Sequence, residues 1–200
     1  MSDFVTLSSG RVCLRQWRDQ DRDAFAATNA DARVMQFFRS CLTRAESDAM
    51  VDHIQEHFSQ HGFGLWAIEV PGVAPFVGFA GLDIPRFSAP FTPCVEVGWR
   101  LAFEHWRQGY ATEAARLALG HGFGTLALSE VVSFTSVTNH RSRAVMERLG
   151  MRRDPAEDFD YPALPEGHPL RQHVLYRLGS DSYFGRRLSQ MTPAEDRRKE

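Results

Sequence analysis

Residues 95–125 hold the side-chain pattern with the most chemical content. Val95, Val97, Trp99 and Leu101 alternate with Glu96, Gly98 and Arg100, the period of two that a half-buried strand requires. A polar turn follows, Trp106-Arg107-Gln108-Gly109-Tyr110-Ala111-Thr112. After it Ala111, Ala115, Ala118 and Gly122 recur at helical spacing, which leaves one helix face nearly bare for close packing on a sheet. Strand, turn and helix together aim several backbone N–H groups and the positive end of a helix dipole at one spot, a natural seat for a phosphate or pyrophosphate. Gly109 stands where the backbone must turn sharply and let a ligand approach. Thr112 is a candidate helix cap, and Glu113 suits the first turn. There is no Walker-type lysine and no G-x-G-x-x-G, so the pattern disfavours a nucleoside triphosphate and asks for another diphosphate. The same residues also fit an ordinary strand–turn–helix whose glycine serves packing alone.

A second constellation, His53-Ile-Gln-Glu56-His57, reads H-x-x-E-H, the pattern of an inverted zinc-peptidase helix. With His61 it is equally the solvated face of a short helix, and no downstream carboxylate ligand stands out. A metal is therefore not expected, and a zinc peptidase is a remote alternative. Cys13, Cys41 and Cys94 form no C-x-x-C pair, which suits free thiols in a reducing cytoplasm.

Trp106-Arg107-Gln108-Gly109-Tyr110-Ala111-Thr112-Glu113-Ala114 resembles the acyl-CoA motif of the GNAT superfamily of acetyl-CoA-dependent N-acetyltransferases, R/Q-x-x-G-x-G/A, with Trp106 in place of the first Arg or Gln. It is similar to the form found in the branch of ribosomal-protein N-terminal acetyltransferases. Residues 14–25 resemble that branch's first strand and helix, and residues 138–151 its Asn-x-x-Ser helix. The resemblance covers residues 8–178. It implies a splayed, mostly antiparallel sheet with one parallel crossover, helices on both faces and acetyl-pantetheine entering between the two central parallel strands. Trp99, Arg100 and Leu101 would bind pantetheine through their backbone. Pyrophosphate would sit on Arg107, Gln108, Gly109, Tyr110, Ala111 and Thr112, with the Arg107 side chain adding a charge-assisted contact. Asn139 matches the asparagine that holds the pantetheine arm.

Amine acetylation needs a neutral amine, a held thioester carbonyl and a proton for the leaving thiolate. Many relatives carry a tyrosine seven residues after the asparagine; here Met146 occupies that position and cannot donate a proton. Ser142 is the next candidate, as a hydrogen-bond donor to the thiolate or a relay through water; it could instead cap its helix. Glu96 is the candidate base, because an inward carboxylate beside Val95 and Val97 has its pKa raised and can accept the ammonium proton through water. It could instead orient substrate or pair with an arginine, and one register step decides whether it faces the cleft. Met146 also motivates an alternative, a catalytically weak CoA-binding regulatory module. The acceptor is a peptide N-terminus or a small-molecule amine.

Around the motif the chain reads as mixed α/β. Strands are expected at 11–17, Leu65–Val70, 76–82, 95–101, 130–135 and 172–178. Helices are expected after Asp19, from a Thr43/Glu46 capping box to about Gln60, from Tyr110, and over His140–Leu149 with Gly150 as stop. Residues 34–38 read as a short apolar turn. Residues 154–171 form a long loop whose Glu157, Asp158, Asp160 and Glu166, with Tyr161 and His168, would wall a cationic acceptor or simply lie solvated. Phe37, Phe38, Phe87 and Phe91 are apolar walls or core. One domain is expected over 1–179, with a polar tail over 180–200 that is frayed or weakly helical from Pro193. A net charge of −2 argues against a general nucleic-acid binder. No run approaches a membrane span and no signal peptide opens the chain. A homodimer follows from family analogy alone.

Overall fold

The computed structural model describes residues 5–191. A nine-stranded sheet organises them. In chain order its strands are β1 (Leu7–Ser8), β2 (Cys13–Arg15), β3 (Leu65–Val70), β4 (Ala74–Asp83), β5 (Glu96–Leu101), β6 (Glu130–Ser136), β7 (Arg152–Arg153), β8 (Phe159–Asp160) and β9 (Gln172–Gly179). Spatially they run β1-β2-β3-β4-β5-β6-β9-β7, with β8 also on β9. Every pairing is antiparallel except β5 with β6. This is the mixed fold the sequence implies, with one parallel crossover.

The helices are α1 (Asp21–Ala30), α2 (Ala32–Met35), α3 (Arg44–His61), α4 (Tyr110–Gly124), α5 (His140–Leu149) and α6 (Ser180–Met191). They cover both faces. Phe25 of α1 meets Phe79 of β4 at 5.9 Å between ring centroids. On the opposite face α4 lies so close that a Cβ on Gly122 would stand 3.2 Å from Leu82 Cδ1. The bare stripe of α4 is thus spent on the sheet: Ala115, Ala118 and Gly122 are buried.

Local signals set the ends of α3. Thr43 and Glu46 form the reciprocal capping box, and Gly62 ends the helix in the left-handed region at φ 77°. Elsewhere the boundaries shift. The expected strand at 11–17 shrinks to β2, whose last residue, Arg15, makes a buried pair with Asp21 at 2.7 Å. The apolar turn at 34–38 overlaps α2, capped by Asp31. Residues from Ser180 onward do not begin as a loose tail: α6 continues directly from β9, and Tyr183 packs 4.8 Å from Phe123 of α4. The reading of the chain from Pro193 lies outside the described residues. No helix among the described residues is long and apolar enough to cross a membrane.

Candidate active site

β5 is fully paired on one edge and almost bare on the other. Six residue pairs tie it to β4, from Gly78 opposite Leu101 to Asp83 opposite Glu96. Toward β6 a single pair remains, Glu96 opposite Val132, closed by the Val132 N–H donating to the Val95 carbonyl at 2.9 Å. β6 is meanwhile held along its whole length by β9. The two strands therefore splay, and a cleft of about 1730 Å³ opens between them, lined by Gly98, Trp99, Arg100 and Leu101 on one side and Ser133, Phe134 and Thr135 on the other. An unpaired strand edge of this kind accepts an extended ligand as an added strand.

The start of α4 borders the same cleft. Arg107 and Gly109 both take left-handed backbone, at φ 61° and 83°. For Arg107 that is an uncommon conformation, and runs of this type turn successive N–H groups inward. Gly109 is the cap residue and no side chain bonds the helix start. Thr112 therefore does not cap, contrary to expectation: left-handed Gly109 starts the helix three residues earlier, and Thr112 lies in its first turn. The first-turn N–H groups of Tyr110, Ala111 and Thr112 are left for a ligand. Arg107, Gly109, Tyr110, Ala111 and Thr112 line the cleft; Gln108 does not, and its carbonyl turns to accept from Arg11 Nη1 at 3.1 Å.

Sequence spacing gave no sign of the arginines that join this turn. Arg11, paired with Glu113, lies 5.5 Å from the Tyr110 ring centroid, and Arg141 lies 4.9 Å from that of Trp106. Arg116 and Arg148 line the cleft as well. Cations around exposed N–H groups make an anion seat stronger than either feature alone.

Asn139 caps α5. Its Oδ1 accepts from the Ser142 N–H at 3.2 Å and its Nδ2 donates to Thr135 Oγ1 at 2.9 Å. The cap thus belongs to Asn139, and Ser142 serves it only through its backbone. Ser142 lines the cleft, and its hydroxyl makes no hydrogen bond among the described residues. Met146 also touches the cleft but is otherwise buried, at 1% exposure.

On the other face of β5 the register is settled. Glu96 stands opposite Asp83, and both line the cleft. No arginine pairs with Glu96 among the described residues. Its surface toward the cleft stays partly open while protein surrounds the rest, and this desolvation, with Asp83 nearby, holds its pKa well above the usual carboxylate range. Asp83 in turn lies 3.2 Å from His57 Nε2, a contact that no spacing in the sequence foretold.

The H-x-x-E-H helix does not assemble a metal site. His57 is buried, with Nδ1 2.9 Å from the Phe63 carbonyl. His53 instead turns outward, its Nδ1 3.1 Å from Arg86 Nη2, and Glu56 accepts from Gln60. Among the described residues no group of three or more His, Cys, Asp or Glu side chains is placed to hold a metal ion.

The long loop differs from the acidic wall expected. Asp158 pairs with Arg153, Glu157 with Arg177 and Asp160 with Arg171, so its charges are largely spent within the protein. His168 accepts from the Leu170 N–H. What the loop offers the cleft is Tyr161, Ala163 and Leu164. Phe37, Phe38 and Phe87 do wall the cleft, whereas Phe91 packs behind it against Phe159 at 4.8 Å.

Residues 11–152 match the family described as acetyltransferase (GNAT) domain. The chain is similar to the FsC-acetyl coenzyme A-N(2)-transacetylase of Aspergillus fumigatus, 31% identical over 153 residues, covering 73% of this chain and 64% of that protein. Among solved structures it superposes on a GNAT-family acetyltransferase from Bacillus anthracis with TM-score 0.73 at 21% identity, covering 88% of this chain and 99% of the other. It also superposes on Mycobacterium smegmatis RimJ in complex with CoA-disulfide, TM-score 0.70 at 19% identity, covering 94% and 95%. With the splayed β5–β6 pair and the open start of α4 already in place, the family match completes the assignment: the chain belongs to the GNAT acetyltransferases.

Proposed function

We propose that this protein transfers an acetyl group from acetyl-CoA to a primary amine by direct attack in a ternary complex, acting in a reducing cytoplasm as a member of the branch resembling the ribosomal-protein N-terminal acetyltransferases. The observation that carries the reading is the junction of two features: β5 loses β6 after one pair, and the uncapped start of α4 lies at the same cleft. Pyrophosphate fits the N–H groups of residues 109–112 and Arg107. Pantetheine fits the free edge of Trp99, Arg100 and Leu101, with Asn139 across the cleft. The Asn139 amide is engaged in its cap and with Thr135, so it reaches the arm by exchanging one of those bonds.

Glu96 receives the ammonium proton through water, which frees the nitrogen lone pair to attack the thioester carbonyl. Its raised pKa brings it closer to that of the amine, as a general base needs. As the carbon–sulfur bond breaks, the Ser142 hydroxyl donates a hydrogen bond to the thiolate, and the proton reaches sulfur through solvent. Met146, at a position where many relatives carry tyrosine, favours the second reading of a CoA-binding module without turnover.

Calorimetric titration with acetyl-CoA, followed by thiol release over a panel of amines and peptides, tests both. Micromolar binding with acceptor-dependent release is the expected result. Binding with no release from any acceptor would favour the regulatory module, and no binding would overturn the site.

A further inference from the structure

One charge at the cleft has no opposite. Arg100 is only 9% exposed, yet no carboxylate pairs with it among the described residues. Its Nη1 donates to the neutral Asn29 Oδ1 at 2.6 Å and lies 3.8 Å from Met50 Sδ, while its Nε has no partner at all. Desolvation, with no anion to offset it, pulls its pKa down to about 10. Arg15 shows what a buried arginine of this chain has when its charge is met: Asp21 and Glu69, each at 2.7 Å. An unpaired buried cation is costly, so its retention calls for a reason.

The surroundings suggest one. The Phe38 ring lies 4.2 Å from the Arg100 guanidinium carbon and the Phe79 ring 5.4 Å, so protein encloses the group at Nε, while Arg100 still lines the cleft and its Nη2 end is left for recognition. A guanidinium edge matches a planar carboxylate in two parallel hydrogen bonds. Arg100 also shares a strand face with Glu96, because side chains two and four residues apart point the same way. Between them stands Gly98, where a Cβ would meet nothing nearer than Glu96 Oε1 at 3.8 Å. The floor between the carboxylate and the guanidinium is therefore open, over roughly 13 Å from Cα to Cα at the usual strand rise. This face looks toward α1 and α3, away from α4, so the acetyl carrier's anion seat does not serve it.

We propose that Arg100 is a specificity residue that receives a carboxylate of the acceptor, and that the acceptor is an amino carboxylate lying over Gly98 with its amine toward Glu96. The role of the amine rests on the acetyltransferase reading; the binding of the carboxylate does not.

The test is calorimetry on the full chain loaded with CoA. The probes are 4-aminobutanoate, 6-aminohexanoate and 8-aminooctanoate, each against the alkylamine of equal carbon count. At least one amino carboxylate should bind tenfold or more tightly than its alkylamine, and Arg100→Met should erase that preference. Should Arg100→Met fail to fold, Asn29→Asp carries the test. It supplies the missing anion in nearly the same shape, and Ser47 Oγ, now 2.9 Å from Asn29 Nδ2, can turn its hydroxyl to donate. Asn29→Asp should raise the Tm by a few degrees and bring the preference within twofold of unity. Equal binding of each pair, no binding of any probe, or a preference that survives Asn29→Asp would overturn the proposal. Thiol release is read in parallel on the same probes with acetyl-CoA in place of CoA. A preference without release refutes the transferase reading and leaves the Arg100 site standing, whereas release without a preference refutes this site alone.

Discussion

Replacing Gly109 by glutamate separates strain from charge at the proposed pyrophosphate seat. Gly109 holds φ 83°, where an L side chain costs about 1–2 kcal/mol. A Cβ there would stand 3.3 Å from Arg11 Nη2, the far end of a mobile, 56% exposed side chain that can give way. The stability cost is thus bounded, a fall in Tm of roughly 2–8 °C for a chain of this size. The loss of affinity should be far larger. A carboxylate ~4 Å from a phosphate charge at an effective dielectric near 20 is repelled by about 4 kcal/mol, or roughly a thousandfold in Kd. Gly109→Ala carries the strain without the charge and should weaken acetyl-CoA by no more than about thirtyfold if the strain falls wholly on the bound state. Calorimetry with thermal melts on both variants reads the two effects apart. If Gly109→Glu bound acetyl-CoA within threefold of the parent while its melt fell as computed, the seat would not be at this turn.

Three further outcomes follow from the same geometry. Glu96→Gln should lower kcat by about a hundredfold or more with acetyl-CoA affinity unchanged; in the parent, the acid limb of the pH–rate profile should lie above the ordinary carboxylate range, and it should vanish in the variant. An unaltered profile would remove Glu96 from the chemistry. Stability should fall as pH drops through about 6.5: His57, His121 and His173 are buried with depressed pKa values, so the unfolded chain binds their protons first. Each contributes at most ~1.4 kcal/mol per pH unit in that window, and Glu96, raised in the fold, opposes them with one term of the reverse sign. Urea melts at pH 7.5 and 5.5 should show the loss, and a rise toward pH 5.5 would contradict it. Arg15→Met should cost about 3–5 kcal/mol, because it strands buried Asp21; a cost under ~1 kcal/mol in a denaturant titration would mean the Asp21 charge is met elsewhere.

What was legible in the sequence was what neighbours in the chain decide. The capping box of α3, the Gly150 stop and the strand–turn–helix of β5 and α4 all rest on residues within a few positions of one another. Thr112 was misread as a cap because its type suits that role, whereas the backbone conformation of Gly109 decides where the helix begins. The acidic loop reads as substrate-facing or solvated because Glu157, Asp158 and Asp160 carry charge, and neither reading includes their ion pairs. Arg153, the partner of Asp158, lies five residues away, but Arg177 and Arg171, the partners of Glu157 and Asp160, arrive on or beside β9. Arg11 at the α4 turn, and Asp83 with His57 of α3 beside Glu96, are invisible because tertiary packing joins residues far apart in the chain and no local period marks them. A polar composition likewise hid α6, whose hold on the domain includes one aromatic contact, Tyr183 on Phe123.

Glu96 occupies the last residue at which β5 still pairs with β6. That makes it the vertex of a wedge, and a vertex is the quiet point of any opening and closing motion. When two strands swing by a given angle, each atom moves in proportion to its distance from where they meet. Leu101, five residues further along at ~3.3–3.4 Å each, sits some 17 Å out and moves most. In the proposed reaction the mouth of the cleft can breathe by ångströms to admit a long, flexible carrier, while the carboxylate and the bond to be broken beside it keep their spacing. Tolerance at the entrance and accuracy at the apex come from the same divergence of two strands.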